Sequence, residues 1–234
     1  MARRALRLEV AVAWLCILPA CSSTRAITYF TLDPPPEPVQ ADALAPPTHG
    51  TGQPNARKGE PLDIQVDRFR AFDIYDEPRM AWGEGPQLDH FKYCRWAAPP
   101  PKMLEDVVIR ALRESGEFRS VERYSETHSE MGVLLQCELR HILIQGAGHG
   151  KWKAILRAEV RLLKVQNGVW TQVGVPIPLE ADGEGKEEDG EEGVVKTIKA
   201  AVKGLDGDLK DKAAKLAETI GIVLSGSEGD GPER

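Results

Sequence analysis

Residues 152–175, WKAILRAEVRLLKVQNGVWTQVGV, determine which fold class this chain can adopt. Between Trp152 and Leu162 every second residue is apolar, which is the spacing of a strand with one buried face. Asn167 and Gly168 then provide the strongest short turn signal for a hairpin, and apolar residues return on its far side. The segment therefore predicts two antiparallel strands joined by a tight turn.

Three further segments alternate in the same way. Residues 131–146, MGVLLQCELRHILIQG, are long and rich in branched side chains, so they extend the hairpin into a meander of at least three antiparallel strands. Residues 62–69 and 90–96 show shorter alternating patterns, and packed structure is expected to begin at Leu62. Together these segments predict a mostly antiparallel sheet.

Two other segments repeat apolar residues at spacings of three and four, the pattern of an amphipathic helix. The first covers residues 102–116 and ends at Gly116, a residue that readily adopts the left-handed conformation of a helix C-cap. The second covers residues 194–223, where Gly204 and Gly207 weaken the middle and make a break plausible. The order of elements predicts an α+β fold with both helices packed on one face of the sheet.

Composition sets the limits of this single domain, which is expected to span residues 61–224. Residues 180–192 hold eight carboxylates against one lysine, which predicts a solvated, disordered loop within the domain. Residues 33–60 include seven prolines and few large apolar side chains, which predicts a semi-extended tether. Residues 225–234 are expected to form a disordered tail.

The first 20 residues have the organisation of a bacterial export signal, with arginines followed by a short apolar segment and small residues. That segment is shorter than the roughly 20 apolar residues that span a bilayer. The tetrapeptide LPAC, ending at Cys21, resembles the lipobox of bacterial lipoproteins, which implies removal of residues 1–20 and acylation of Cys21. Ser22 replaces the aspartate that signals inner-membrane retention, so the resemblance implies the outer membrane. The alternative is an ordinary signal peptide cut near Ala20, which leaves Cys21 as a free thiol.

Residues 21–60 are thus expected to be a lipidated N-terminus followed by the proline-rich tether. This region contains a small apolar island from Ile27 to Leu32 that includes Tyr29 and Phe30. Two interpretations of the island are open: an edge strand docked on the domain, or part of the linker.

Net charge argues against nucleic acid as a partner. The chain has 30 basic and 36 acidic residues, and loss of residues 1–20 removes three arginines and one glutamate, which leaves a net charge of −8. Recognition of nucleic acid begins with a basic patch, and this balance provides none.

Two cysteines would remain besides Cys21, and each has a histidine four residues away, as in His90 with Cys94 and Cys137 with His141. On a strand, positions four apart are separated by about 13 Å, too far to share one zinc ion, so we predict no metal site. Two interpretations of the thiols are open: two separately buried groups, or a Cys94–Cys137 disulfide, which an oxidising compartment permits.

No catalytic motif accompanies these residues. The segment GAGHGK around His149 lacks the spacing and the Lys-Ser/Thr ending of a phosphate-binding loop, and no nucleophile elbow occurs in the sequence. We therefore predict neither an enzyme nor a cofactor.

The combined pattern resembles the ABC-type transport auxiliary lipoprotein family, also called PqiC-like. The similarity covers roughly residues 21–173 and rests on an aromatic strand that runs into Arg-Trp, a proline spacer, an apolar helix and a Ser-Gly-x-Phe exit. The matching residues are Phe91, Tyr93, Arg95, Trp96, Pro99, Leu104, Leu112, Ser115, Gly116, Phe118 and Val121. The acidic segment and Cys94 depart from the family pattern.

The resemblance implies an outer-membrane-anchored lipoprotein that faces the periplasm. Members of the family assist lipid transporters in which a permease and an ATPase act with a substrate-binding protein of the MCE class. The implied partners are the membrane, through acylated Cys21, the MCE protein, and further copies of the chain in a ring. The alternative is an assembly factor for another envelope complex, such as a pilotin or a lipopolysaccharide-export plug.

The residues around the Arg-Trp pair have two open interpretations. Tyr93, Arg95, Trp96 and Pro99 are a candidate partner interface, because Trp, Tyr and Arg are frequent in binding hot spots. In the structural alternative, Trp96 caps the core while Arg95 covers an aromatic face or pairs with an acid.

Overall fold

The structure is a computed structural model, and it describes residues 26–32, 62–83, 87–125, 132–146, 151–166, 168–186 and 191–226. The predicted signal peptide, Cys21, the proline-rich tether of residues 33–60 and residues 227–234 of the predicted tail lie outside these residues, whereas Ser225 and Gly226 of that tail belong to the last helix.

Nine strands, two α-helices and one 3-10 helix are present in the described residues. The strands are β1 (Thr28–Phe30), β2 (Leu62–Val66), β3 (Arg70–Ala71), β4 (Arg79–Trp82), β5 (Asp89–Trp96), β6 (Phe118–Arg123), β7 (Val133–Gly146), β8 (Lys151–Gln166) and β9 (Val169–Lys186). The helices are α1 (Pro100–Ser115) and α2 (Glu191–Gly226), and the 3-10 helix is Asp73–Tyr75.

The β7–β8–β9 meander contains the three longest strands of the sheet, with β9 at one edge, and confirms the prediction from the alternating segments. Strand β8 is paired along nearly its whole length, with β7 on one side and β9 on the other, both antiparallel. Gly168 in the turn has φ 76°, a conformation that glycine adopts without strain. The second long side of β7 is shared by three short strands in succession, β2, β3 and β4.

The sheet is mixed, which the sequence did not predict in detail. The antiparallel pairings β4–β5, β7–β8 and β8–β9 contain most of the paired residues. The pairings β1–β5, β2–β6, β2–β7, β3–β7 and β4–β7 are parallel and short. The α+β class with a mostly antiparallel sheet is therefore confirmed, with a parallel fringe along β7 and β5.

Both helices pack on the sheet and contact each other, as predicted. Helix α1 begins at Pro100, and proline is tolerated there because the backbone N–H groups of the first turn have no acceptor within the helix. Its C-cap is Gly116, which adopts the left-handed conformation with φ 68°. Its apolar stripe, which includes Leu104 and Leu112, is fully buried against the core. Helix α2 covers β8 and β9.

The prediction of a disordered loop over residues 180–192 is wrong for residues 180–186 and 191–192, and residues 187–190 lie outside the described residues. Strand β9 continues through Lys186, which pairs with Lys151, and α2 begins at Glu191. Leu179 and Ala181 are buried under α2, while the carboxylates of Glu180, Asp182 and Glu184 point away from the core. These three acidic residues therefore belong to the solvated side of a strand.

The glycines of the same stretch allow α2 to lie directly on β9. A Cβ atom at Gly183 would lie 2.0 Å from the carbonyl oxygen of Ala201, and one at Gly185 would lie 2.2 Å from that of Thr197. Gly204 faces Gly183 across the contact, and α2 is one continuous helix through this position. The expected break in the second helix is thus absent from the described residues, because Gly204 is used for close packing.

The apolar island before the tether is an edge strand, the first of its two interpretations. Strand β1 pairs in parallel with β5, with Phe30 opposite Trp96, and the backbone N–H of Ala97 donates to the carbonyl of Phe30 at 2.6 Å. Phe30 and Leu32 are buried, whereas Tyr29 is exposed. The predicted start of packed structure at Leu62 coincides with the first residue of β2.

Candidate functional site

The open face of the sheet is the surface of β7, β8 and β9 that points away from the two helices. Cys137 and Leu139 of β7 are buried on the helix side, so the alternate residues Gln136 and Glu138 point the opposite way and are only partly covered. The same alternation continues on β8 with Glu159. This face carries mainly charged side chains.

Four of these charges form a closed group across β7 and β8. The Arg140 guanidinium lies 2.8 Å from a Glu138 oxygen and 3.5 Å from a Glu159 oxygen. The Arg161 guanidinium lies 3.9 Å from Glu138 and also contacts Glu159. The hydrogen bond from Arg161 is the main reason that the pKa of Glu159 is lowered. Because each charge has two opposite neighbours, the group orders four long side chains on an otherwise mobile surface.

A second group of charges joins β8 to β9 and reaches α2. Arg157 donates to Asp182 at 2.8 Å, and Lys153 lies 3.0 Å from the same carboxylate. Burial opposes ionisation of Asp182, but these hydrogen bonds outweigh it and the pKa of Asp182 is lowered. The backbone N–H of Asp182 donates to Asp208 of α2 at 3.0 Å. The open face is therefore tied to the helix layer.

A cleft of about 410 Å³ lies on the open face between the β2–β3 connection and the meander. Its lining carries arginines and carboxylates from both the β2–β3 connection and the meander, and Phe72 also lines it, with 53% of its surface exposed. The Arg140 guanidinium lies 6.0 Å from the centre of the Phe72 ring. An exposed aromatic ring beside arginines has the composition of a protein-binding hot spot. The residues that line the cleft are Asp67, Arg68, Arg70, Ala71, Phe72, Gln136, Cys137, Glu138, Glu159 and Arg161.

The structure separates the four residues of the predicted interface. Tyr93 and Arg95 are partly exposed, and Arg95 lies opposite Tyr29, which is 64% exposed. Arg95 donates to the carbonyl of Phe91 at 3.3 Å. Pro99 is the residue before α1, and its carbonyl accepts from the N–H of Lys102 at 3.0 Å. Tyr93 and Arg95 thus remain a candidate contact surface together with Tyr29.

Trp96 does not belong to this surface. Only 1% of it is exposed, since it pairs with Phe30 of β1 and packs in the core below α1. The prediction that Trp96 belongs to a partner interface is therefore wrong. Trp96 is a core residue, as the structural alternative stated. Its indole N–H finds no acceptor among the described residues.

Cys94 and Cys137 are free and separately buried, so the disulfide alternative is wrong. Strand β4 lies between β5 and β7, which places the two cysteines at least two strand spacings, about 10 Å, apart. A disulfide needs Cα atoms within about 7 Å. Burial raises the pKa of both thiols, and the nearby carboxylates Glu138 and Glu159 raise that of Cys137 further.

Within the described parts of the chain, no group of three or more His, Cys, Asp or Glu side chains could hold a metal ion. His141 instead lies 3.2 Å from the hydroxyl of Tyr75, whose pKa is raised by burial. None of the helices in these parts is long and apolar enough to cross a bilayer.

Residues 43–208 match the family model described as "ABC-type transport auxiliary lipoprotein component". The chain belongs to this family. The match covers more than half of the chain and confirms the resemblance stated above. The chain is therefore a transport auxiliary component from a lipoprotein family. The family description indicates a membrane-anchored protein of the cell envelope, and the family is not known for catalysis. Among curated proteins, none matches the sequence.

A solved structure with a TM-score above 0.5 supports the fold. A protein from Xanthomonas campestris, assigned to family DUF330, is 20% identical, with 72% of this chain and 88% of that chain covered at a TM-score of 0.60. A hypothetical protein from Chlamydia trachomatis is 8% identical over 70% of this chain and 99% of its own, with a TM-score of 0.42. The PelC dodecamer from Paraburkholderia phytofirmans is 13% identical, with 68% of this chain and 87% of that chain covered and a TM-score of 0.37. The last two are too distant to inform the function of this auxiliary lipoprotein.

Sequence reasoning missed the aromatic residue in the lining of the cleft. Phe72 lies between the two-residue strand β3 and the 3-10 helix, elements too short to produce a periodic pattern. The segment around it, FRAFDIYDEP, mixes apolar and charged residues without a regular period. In this auxiliary lipoprotein the exposed aromatic residues thus lie on short elements that surround the predicted meander.

Proposed function

We propose that this chain is an outer-membrane-anchored periplasmic lipoprotein of an MCE/ABC-type lipid transport system. Acylated Cys21 attaches it to the membrane, and the folded domain docks the MCE substrate-binding protein or forms a ring on which that protein docks. The lipid cargo passes through the partner, and the domain performs no chemistry. Family membership supports the transport role, while the anchor, the MCE partner and the ring are the proposal.

The observation that carries the docking role is the open face of the sheet. Both helices cover the opposite side, yet this side holds an ordered set of ion pairs around a 410 Å³ cleft with the exposed Phe72 ring in its lining. Ordered arginines beside an exposed aromatic ring lose little conformational entropy when a partner covers them. A surface of this kind suits recognition of a protein with an apolar side chain surrounded by charges.

The experiment compares two exposed apolar residues in different places. Phe72→Asp places a charge in the lining of the cleft, whereas Val175→Asp changes an 81% exposed residue at the bulge of β9. Both variants are expected to keep the melting temperature of the wild type. We expect Phe72→Asp to weaken binding to an MCE protein from the same organism at least tenfold, and Val175→Asp to leave it unchanged. Equal affinities for both variants would exclude the open face as the docking surface.

Arg95→Glu tests the remaining part of the predicted interface. Arg95 is half-buried and its guanidinium donates to the Phe91 carbonyl of its own strand, so charge reversal is expected to preserve the fold. Loss of partner binding with an unchanged melting temperature would place Arg95 in the interface. Unfolding of the variant would assign Arg95 a structural role.

The anchor has its own test. Mass spectrometry of the protein purified from membranes is expected to show that the chain begins at Cys21 and carries fatty acids on it. A chain that begins elsewhere, or an unmodified Cys21, would refute the anchor without affecting the docking experiment.

A further inference from the structure

An aromatic cluster of Trp82, Phe91 and Trp152 lies at one end of the sheet. Their ring centroids are 5.8 Å apart for Trp82 and Phe91, 6.1 Å for Phe91 and Trp152, and 6.4 Å for Trp82 and Trp152. Trp82 is 37% exposed, and the other two rings are partly buried. Three large rings therefore meet at the surface, where they leave apolar area in contact with water.

The strand register fixes which end of the sheet carries the cluster. Trp82, the last residue of β4, pairs with Asp89 at the start of β5 and with Ile144 near the end of β7. Trp152, at the start of β8, pairs with Gly146, the last residue of β7. We call this end, where β4, β7 and β9 finish and β5 and β8 start, the loop end of the sheet.

The polypeptide that carries the proposed anchor arrives from the same end. Strand β1 runs parallel to β5 with Thr28 opposite Cys94, so the residues before Thr28 approach from the loop end. Thr28 lies three strand positions, about 10 Å, from the level of Phe91. Cys21 precedes Thr28 by seven residues, which reach at most about 25 Å when fully extended. A lipid on Cys21 therefore holds the loop end close to the bilayer.

We propose that the aromatic cluster rests on the surface of the bilayer that holds the anchor, with Trp82 and Trp152 in the headgroup region. This inference rests on the proposed acylation of Cys21. Indole rings favour the interface between water and hydrocarbon, because one part of the ring is apolar and its N–H remains hydrogen-bonded. A bilayer contact at this end leaves the open face with Phe72 directed along the membrane surface or away from it, accessible to a partner.

The test measures how deeply each tryptophan enters the membrane. The full chain, acylated in its host and purified from membranes, is placed in vesicles of zwitterionic phosphatidylcholine whose acyl chains are brominated near the headgroup, where bromine quenches indole fluorescence on contact. Trp82→Phe and Trp152→Phe keep an aromatic ring at each position and remove the fluorescent indole. Trp170→Phe is the matched control, because Trp170 lies at the opposite end of the meander beside the Gly168 turn.

We expect the quenched fraction of the emission to fall at least twofold in the double variant of Trp82 and Trp152, and to stay the same or rise in Trp170→Phe. An equal quenched fraction in all variants would overturn the proposal. Loss of MCE binding in Trp82→Ser without any quenching in the wild type would assign the cluster to a protein partner and would equally overturn it.

A second arm separates this inference from the proposed anchor. Cys94 and Cys137 are buried, so a maleimide-headgroup lipid couples selectively to Cys21 of an unacylated protein that begins at residue 21 and therefore lacks Cys16. Quenching through Trp82 and Trp152 in this sample supports the membrane contact whatever the native modification is. Absence of quenching here, with native acylation found by mass spectrometry, refutes the contact and leaves the anchor in place.

Discussion

Replacement of Gly183 by alanine tests the contact that holds α2 on β9. An added Cβ would lie 2.0 Å from the Ala201 carbonyl oxygen and 2.1 Å from the Leu205 backbone nitrogen. Ordinary contacts begin at about 3.4 Å, so helix and strand would have to separate by more than 1 Å. Both opposing atoms belong to the backbone, and no side-chain rotation can relieve the overlap.

The expected cost follows from overpacking in a closely packed interface. Such insertions destabilise proteins by about 1–3 kcal/mol, which for a domain of this size lowers the melting temperature by roughly 3–10 °C. The control is Gly207→Ala on the same helix, where a Cβ meets no atom within 4 Å. Alanine is favoured over glycine inside a helix by about 1 kcal/mol, so this variant is expected to melt roughly 2–4 °C higher.

Thermal unfolding followed by circular dichroism measures both shifts under the same conditions. The opposite signs distinguish a specific contact from a general sensitivity of α2 to alanine. A Gly183→Ala protein that melts at or above the wild-type temperature would refute the close packing and, with it, the placement of residues 180–186 in β9.

Three further variants or measurements test other contacts. Hydrogen bonds from Arg119 and then Ser120 lower the pKa of Asp63 from 3.8 to about 2, so the stabilisation that Asp63 provides is present above about pH 4 and is lost as the pH falls through 2. Since the Arg119 side chain is largely exposed, Asp63→Asn is expected to lower the free energy of unfolding by less than about 1 kcal/mol above pH 4, and not at all near pH 2, as measured by urea unfolding. A difference in unfolding free energy between variant and wild type that stays constant across this pH range would contradict the ion pair's role. The buried Glu105 carboxylate accepts hydrogen bonds from the Phe69 N–H and from Arg123. Glu105→Leu is therefore expected to lower the free energy of unfolding by about 1–3 kcal/mol, and Glu105→Gln by less. Equal losses in the two variants would show that these hydrogen bonds do not stabilise the fold. In a protein that begins at residue 22, and so lacks Cys16 and Cys21, the thiols of Cys94 and Cys137 are expected to react with a thiol reagent only after denaturation, and fewer than two reactive thiols in denaturant would indicate a disulfide.

The sequence predicted the elements that repeat over a long enough segment. The alternation through Trp152 and Leu162 placed β8, and the three-and-four spacing together with Gly116 placed α1 and its end. Local physics determines these elements, because a strand or helix of this length buries one regular row of side chains wherever it packs.

The parts that the sequence did not predict depend on distant partners. The register of Phe30 with Trp96, which buries the indole, joins residues on either side of the tether, and no local pattern encodes that pairing. The acidic and glycine-rich stretch around Gly183 has the composition of a disordered loop, yet it is a strand because α2 covers one of its sides. The position of Phe72 on the open face likewise follows from the parallel pairing of β3 with β7.

The most direct test of the account is the binding of the natively acylated protein in vesicles to an MCE protein from the same organism. The account predicts saturable binding by the wild type that Phe72→Asp weakens at least tenfold, while Val175→Asp binds as the wild type does. Reproducible absence of binding by a folded, acylated wild-type sample would contradict the proposal that this domain docks an MCE partner.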